Sequence, residues 1–146
     1  MPRAPPRPPS CACRCRKPCR RDAAVFRTGE TLKQGVDALD KIYTSSSDIG
    51  IKDRGLIWNT DLVEALEYDN LIAQAVVPVN SALAREESLA PTPARIFTKR
   101  DDDKWMKHSL MGIDTATGKV TEDFRPVHTY TMTNDIAYIA PKARVY

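Results

Sequence analysis

Four cysteines fall within nine residues, Cys11, Cys13, Cys15 and Cys19. Thiolates hold zinc tetrahedrally, usually from two Cys-x-x-Cys knuckles on ordered turns. Here the spacing is Cys-x-Cys-x-Cys-x-x-x-Cys, seven basic residues crowd the thiols between Met1 and Asp22, and no large apolar residue supports a turn. A chance or non-native string fits better than a metal site. The two histidines offer little more. His128 lies in a polar stretch and is expected on the surface. His108 lies on a predicted strand beside Trp105 and Leu110, with no base paired to it in the sequence. It reads as a packed, hydrogen-bonded histidine. Asp101, Asp102 and Asp103 lack the glycine turn and distal glutamate of a calcium loop, so a solvated loop is expected. There is no Gly-rich phosphate loop, no Gly-x-Ser-x-Gly and no dinucleotide fingerprint. The residues supply no catalytic, cofactor-binding or metal-binding set.

The elements that would position such residues form a mainly α pattern. Met1–Asp22 holds six of the 11 prolines, seven basic residues and all four cysteines. It has no apolar core of a secretory signal, and its composition predicts a disordered leader. Leu32, Val36, Leu39 and Tyr43 recur at helical spacing between Gly29 and the Ser45–Asp48 cluster. Asn59-Thr60-Asp61 reads as the N-terminus of a long helix running to about Ser88. That helix carries two adjoining stripes, Leu62, Leu66, Ala73, Val76, Val77 and Ala65, Tyr68, Ile72, Val79, Leu83, which suits packing between two neighbours. Pro78 predicts a kink. Leu89–Ile96 is a break and Lys99–Lys104 a charge run. Trp105–Asp114 and Lys119–Val127 read as two strands around the turn Thr115-Ala116-Thr117-Gly118. Ile136–Tyr146 is a short, partly extended tail.

The chain has 146 residues and a net charge of +3, room for one domain with a modest core. The leader carries the positive excess. From Ala23 to Tyr146, fifteen basic residues face eighteen acidic ones, a net of −3. That balance gives no case for nucleic acid or a lipid surface. No apolar run approaches the roughly 18–20 residues that span a bilayer, so no direct membrane insertion is expected.

The order of the residues is more specific than their chemistry. Ala23-Ala24-Val25-Phe26-Arg27-Thr28-Gly29, the string from Asp53 to Glu67 around Trp58-Asn59-Thr60-Asp61-Leu62, and Asn70-Leu71 resemble the C-terminal domain of succinate dehydrogenase/fumarate reductase flavoproteins. The resemblance continues through Trp105-Met106-Lys107-His108-Ser109-Leu110, Thr117-Gly118-Lys119-Val120 and Phe124-Arg125-Pro126-Val127 to Pro141–Tyr146, which looks like that family's own terminus. It divides the chain into a leader, 1–22, and the family domain, 23–146, within which 89–96 departs.

The two departures have one explanation. The family carries Gly-Ala-His-Ala-Arg-Glu-Asp where this chain has Ala90 to Ile96. Written in GC-rich codons, GCG CCC ACG CCC GCG AGG ATT, this stretch yields the family motif in a neighbouring frame. Lys17-Pro18-Cys19-Arg20 as AAA CCA TGC AGG likewise contains Thr-Met-Gln, close to the Met-Gln step of the family's preceding helix. The leader and 89–96 are therefore expected to be off-frame readouts in a truncated, frameshifted gene.

The resemblance implies a helical bundle with a small β-hairpin, to which the residue pattern adds an extended tail and the disordered leader. It implies that the intact enzymes oxidise succinate to fumarate, passing electrons through FAD and the clusters of an iron–sulfur subunit to quinone. The flavin-linked histidine and the catalytic residues lie upstream in that family and match no position here. This chain is therefore expected to bind no cofactor and to be inactive alone. Its implied partners are the flavin domain of the same subunit and the iron–sulfur subunit. Its implied place is cytoplasmic, or peripheral on the inner face of the inner membrane through those partners. A non-catalytic docking or assembly module, or a fragment of fumarate reductase or L-aspartate oxidase, remains an alternative.

Overall fold

A computed structural model describes residues 8–87 and 101–142, with the side chains of Pro9 and Ser10 excluded. The stretch 89–96 and the last four residues of the tail lie outside the described residues. The elements run α1 (Pro8–Asp22), α2 (Gly29–Thr44), a 3-10 turn (Ser46–Asp48), α3 (Thr60–Ala84), α4 (Asp102–Trp105), β1 (Lys107–Ile113) and β2 (Val120–Pro126). The expected mainly α architecture with one hairpin is what forms, and residues 127–142 carry no regular element.

The leader is a correction. Residues Pro8–Asp22, expected to be disordered, form a helix that packs on both α2 and α3. Helical phase explains this. Cys11, Cys15, Pro18 and Asp22 fall on one face and are buried, while Arg14, Arg16, Lys17 and Arg20 face solvent. A free cysteine packs as a small hydrophobe, so thiols do the work that larger side chains would do elsewhere. Pro8 sits in the first turn, where its missing N–H costs nothing. Asp22 is buried at the end of the helix and is held by Arg21, whose Nε and Nη2 donate to its two carboxylate oxygens at 2.6 and 2.8 Å.

α2 begins at a reciprocal cap. Thr28 Oγ1 accepts from the Thr31 amide at 3.1 Å, and the Thr28 amide donates to Thr31 Oγ1 at 2.8 Å. Its inward face is Leu32, Gly35, Leu39 and Ile42, with the expected Val36 and Tyr43 half-buried beside it. Gly35 lets α1 approach: a Cβ there would stand 3.1 Å from that of Asp22.

α3 buries Tyr68, Ile72, Val76 and Val79. Together with Cys11, Cys15, Leu32, Leu39 and Ile42 they form one core between three helices. Each fully buried apolar side chain contributes roughly 1.5–3 kcal/mol. Of the two expected stripes, the one through Tyr68, Ile72 and Val79 enters this core. The Leu62–Leu66 edge does not: Leu66 is 59% exposed and Val63 beside it 54%. The helix runs through Pro78 without interruption and ends at Ala84, four residues before the expected Ser88. Arg85 leaves the helix because its side chain is drawn to the hairpin, as described below.

β1 and β2 pair antiparallel, from Lys107 opposite Pro126 to Ile113 opposite Val120. The first strand starts at Lys107 rather than Trp105, because Asp101 caps a short helical turn, its Oδ1 accepting from the Lys104 amide at 3.1 Å. The connecting turn is as expected, with Gly118 at φ 73°. Ile113 and Val120, at the turn end of the hairpin, pack against the helical core.

Candidate functional site

The segment between α2 and α3 is shaped by the cap of α3. Asn59 is the N-cap, buried to 7% exposure, and its Oδ1 accepts from the Leu62 amide at 2.9 Å. Its Nδ2 donates back to the carbonyls of Asp53 at 3.0 Å and Gly55 at 2.7 Å. Asp61 Oδ2 accepts from the amides of Lys52 and Asp53, and Asp53 Oδ1 accepts from the Gly55 amide at 2.8 Å. Three polar side chains thus fix the course of residues 52–59. That course puts Leu56, Ile57 and Trp58 into solvent, at 89%, 84% and 94% exposure. Trp58 holds φ 53°, the one left-handed non-glycine residue among those described.

A second feature ties the end of α3 to the hairpin. Arg85 Nη2 donates to the Trp105 carbonyl at 2.7 Å, and Nη1 donates to the Lys107 carbonyl at 3.0 Å and to Ser109 Oγ at 3.2 Å. Glu87, whose carboxylate is buried, pairs with the same guanidinium. Trp105 is buried beneath Arg85 and packs edge-on against Phe124, with ring centroids 6.0 Å apart. Lys104 and Lys107 also lie over its ring. These contacts fix geometry; a saturated guanidinium has no free edge for a substrate.

The third feature is a groove of about 580 Å³ between α2, α3 and the hairpin turn, lined by Tyr43, Ser46, Asp69, Asn70 and Thr117 among others. Its polar groups are hydroxyls, the Asn70 amide and the Asp69 carboxylate, with no hydrogen-bonded nucleophile–base pair among them. Tyr43 closes one side, its hydroxyl donating to the Thr115 carbonyl at 2.9 Å.

The residues considered from sequence do not converge. Cys11 and Cys15 point into the core and Cys13 into solvent, so helical phase sets Cys13 apart from the other thiols. Burial pushes the Cys15 thiol up to about 11, with the adjacent Cys19 adding to the shift. Among the described residues no three metal-ligating side chains come together. His108 is a correction: it is exposed rather than packed, because β1 alternates from Lys107 and turns its side chain outward opposite Arg125. His128 is exposed. Asp101 and Asp103 are exposed on the helical turn, not on an open loop. Sequence reasoning missed Arg85, whose partners lie 20 to 24 residues away, and missed the exposed Leu56–Trp58 ridge. The triple apolar run after Gly55 was the available signal for the ridge.

The described residues form no dinucleotide-binding turn. Dinucleotide binding needs a glycine-rich turn from a parallel strand into a helix, and the strands described here form a two-stranded antiparallel hairpin. No helix among the described residues is long and apolar enough to cross a membrane.

Among the described residues, the fold and these surfaces define a core of three long helices with an attached hairpin, presenting apolar side chains and no assembled catalytic group. The family described as "Fumarate reductase flavoprotein C-term" matches residues 15–146. A succinate dehydrogenase flavoprotein subunit of Rickettsia conorii is 48% identical over 124 residues, 85% of this chain and 21% of that protein. The mitochondrial succinate dehydrogenase [ubiquinone] flavoprotein subunit of Oryza sativa subsp. japonica is 46% identical over 125 residues, 86% of this chain and 20% of that protein. Among solved structures, an E. coli quinol fumarate reductase chain superposes with a TM-score of 0.71 at 25% identity, over 82% of this chain and 20% of that one. Adenylylsulfate reductase from Archaeoglobus fulgidus shares the fold, with a TM-score of 0.77 at 16% identity over 94% of this chain and 21% of that one. The chain belongs to the succinate dehydrogenase/fumarate reductase flavoprotein C-terminal family. It spans about a fifth of the length of the curated relatives it matches.

Proposed function

We propose that this chain serves as the C-terminal docking domain of a succinate-oxidising flavoprotein and carries no activity by itself. The observation behind this reading is the pairing of a family match with a surface that presents anchors and no chemistry. The described residues offer no nucleophile–base pair and no FAD site, while Val25, Phe26, Leu56, Ile57, Trp58, Met132 and Ile139 stand exposed on segments outside the helices and strands. Exposed large apolar side chains, three of them consecutive at Leu56–Trp58, support an interaction role. In this reading FAD is held by the flavin domain and electrons leave through the iron–sulfur subunit. The chain then sits peripherally, on the inner face of the inner membrane, only through those partners.

The off-frame origin of 1–22 and 89–96 belongs to the same proposal. The family match begins at residue 15, inside the leader, and spans 89–96, so the support for the off-frame reading is the shifted-frame motif alone. Resequencing the locus tests it: codons that read cleanly, with no shifted homology beside them, would refute the frameshift.

The functional test uses the R. conorii subunit lacking the segment that matches this chain. The chain alone is expected neither to retain FAD nor to reduce a dye with succinate, and to restore succinate-dependent dye reduction when added to that body. Dye reduction by the chain alone would overturn the proposal.

A further inference from the structure

The ridge Leu56-Ile57-Trp58 is built in a way that its own chain does not use. A surface loop with three consecutive large apolar side chains usually folds at least one inward, because burying one stabilises by roughly 1.5–3 kcal/mol. Here all three remain at 84% exposure or more, and the reason is local. Asn59 spends both ends of its amide on the loop and the helix, and Asp53 and Asp61 fix the amides of Lys52, Asp53 and Gly55. The last ridge residue is held at φ 53°, a conformation in which a bulky side chain is strained. Strain that surrounding hydrogen bonds over-determine clusters at functional positions. A tryptophan whose backbone is set in advance loses less entropy on insertion into a partner than one on a free loop.

We propose that Leu56, Ile57 and Trp58 form a preset anchor, with Trp58 at its centre, that inserts into an apolar pocket on the flavin-bearing body of the flavoprotein. This rests on the reading of the chain as a docking domain. The body is favoured as occupant by length: the matched segment is 21% of the R. conorii subunit, so nearly four fifths of that protein lies outside it. No described segment of this chain covers the ridge.

The test labels the chain with 5-fluorotryptophan, which reports on its two tryptophans, assigned by Trp58→Phe. The partner is the R. conorii body without its matching segment, taken only as the fraction that retains flavin. The Trp58 fluorine resonance is expected to shift on adding body, while that of buried Trp105 stays in place. Trp58→Ala is expected to weaken binding about thirtyfold, as central tryptophan anchors do, with an unchanged far-ultraviolet spectrum because the side chain packs against nothing. Leu66→Ala, exposed on α3, is the control and is expected to stay within about twofold. If the wild-type chain binds and Trp58→Ala binds equally well, the anchor is refuted and the docking reading stands. If the wild-type chain does not bind flavin-retaining body, both fall. A Trp58 resonance that moves with chain concentration alone identifies a second copy as the occupant and overturns the assignment.

Discussion

Arg85 and Trp105 are joined twice: the guanidinium donates to the Trp105 carbonyl at 2.7 Å, and its Cζ stands 5.4 Å above the centroid of the Trp105 ring. One side chain thereby fixes both the backbone and the ring of a residue 20 positions away. It also carries Glu87, whose side chain is only 2% exposed, and it caps the first strand through the Lys107 carbonyl.

Removing that side chain should therefore cost more than a surface ion pair. Arg85→Ala leaves the Glu87 carboxylate buried without its cation and frees two carbonyls, and is expected to destabilise the chain by about 3 kcal/mol. Arg85→Lys should recover less than half, since an ammonium cannot span the fork of carbonyls and carboxylate. Urea denaturation followed by tryptophan fluorescence measures both. A loss below about 1 kcal/mol for the alanine variant would show that the contacts do not form in solution.

The hairpin turn meets α2 at Gly118. Its φ of 73° favours glycine, and a Cβ placed there would lie 2.5 Å from Tyr43 Cδ1. Gly118→Ala combines backbone strain with a ring that must move, and is expected to cost about 2 kcal/mol. Tyr43→Phe loses only an exposed hydrogen bond to the Thr115 carbonyl, worth about 0.5–1 kcal/mol. The double variant should still be destabilised by the backbone term, because the ring remains. Thermal melts of the three variants check this, and equal losses for Gly118→Ala and Tyr43→Phe would contradict it.

How much of this was legible follows from the range of each interaction. The periodicities of Leu32–Tyr43 and Tyr68–Leu83 are local, and so is the chemistry of Asn59 and Gly118, so α2, α3 and the turn could be placed from sequence. Arg85 was invisible because its partners are brought to it by the hairpin. His108 reads as packed only from its apolar neighbours in sequence; Trp105 lies three residues away, so alternation sets His108 on the opposite, exposed face whether the strand starts at Trp105 or at Lys107. The leader was misjudged by composition. Its cysteines were weighed as metal ligands and its lack of leucine or valine as disorder, although thiols one helical turn apart can pack a face. The run Leu56-Ile57-Trp58 marks the segment, but its outward course follows from the bonds of Asp53, Asn59 and Asp61, whereas hydrophobicity alone assigns it inward.

Two buried acids give the fold an alkaline limit. Burial pushes the Tyr68 hydroxyl up to about 12 and the Cys15 thiol up to about 11, from ordinary values of 10 and 9. Both are neutral when protonated, so the folded chain holds these protons more tightly than the unfolded chain. Their contribution is fully present below about pH 9 and is lost as the unfolded groups ionise first, between about pH 9 and 12. Denaturation midpoints should be insensitive to these groups near neutrality and fall across that window. Tyr68→Phe should flatten the fall above pH 10, and Cys15→Ala the fall between 9 and 11. An unchanged slope in both variants would show that neither group is buried in solution.

The helical leader can be tested by its thiols, because order and disorder give opposite patterns. In a disordered leader the four cysteines would react with a maleimide at rates differing only by their immediate neighbours. In α1, Cys13 faces solvent, Cys19 is half-buried, and Cys11 and Cys15 are buried at 3% and 6% exposure. Only the thiolate attacks, so the raised Cys15 thiol is slowed by its ionisation as well as by access. Alkylation is expected first at Cys13, next at Cys19, and at Cys11 and Cys15 only through opening of the helix from the bundle. Protection at those two sites should then collapse together in denaturant, since one helix face releases both. Peptide mapping by mass spectrometry after timed labelling reads the order. Cys11 reacting as fast as Cys13 in buffer would return the leader to disorder and remove α1 from the core.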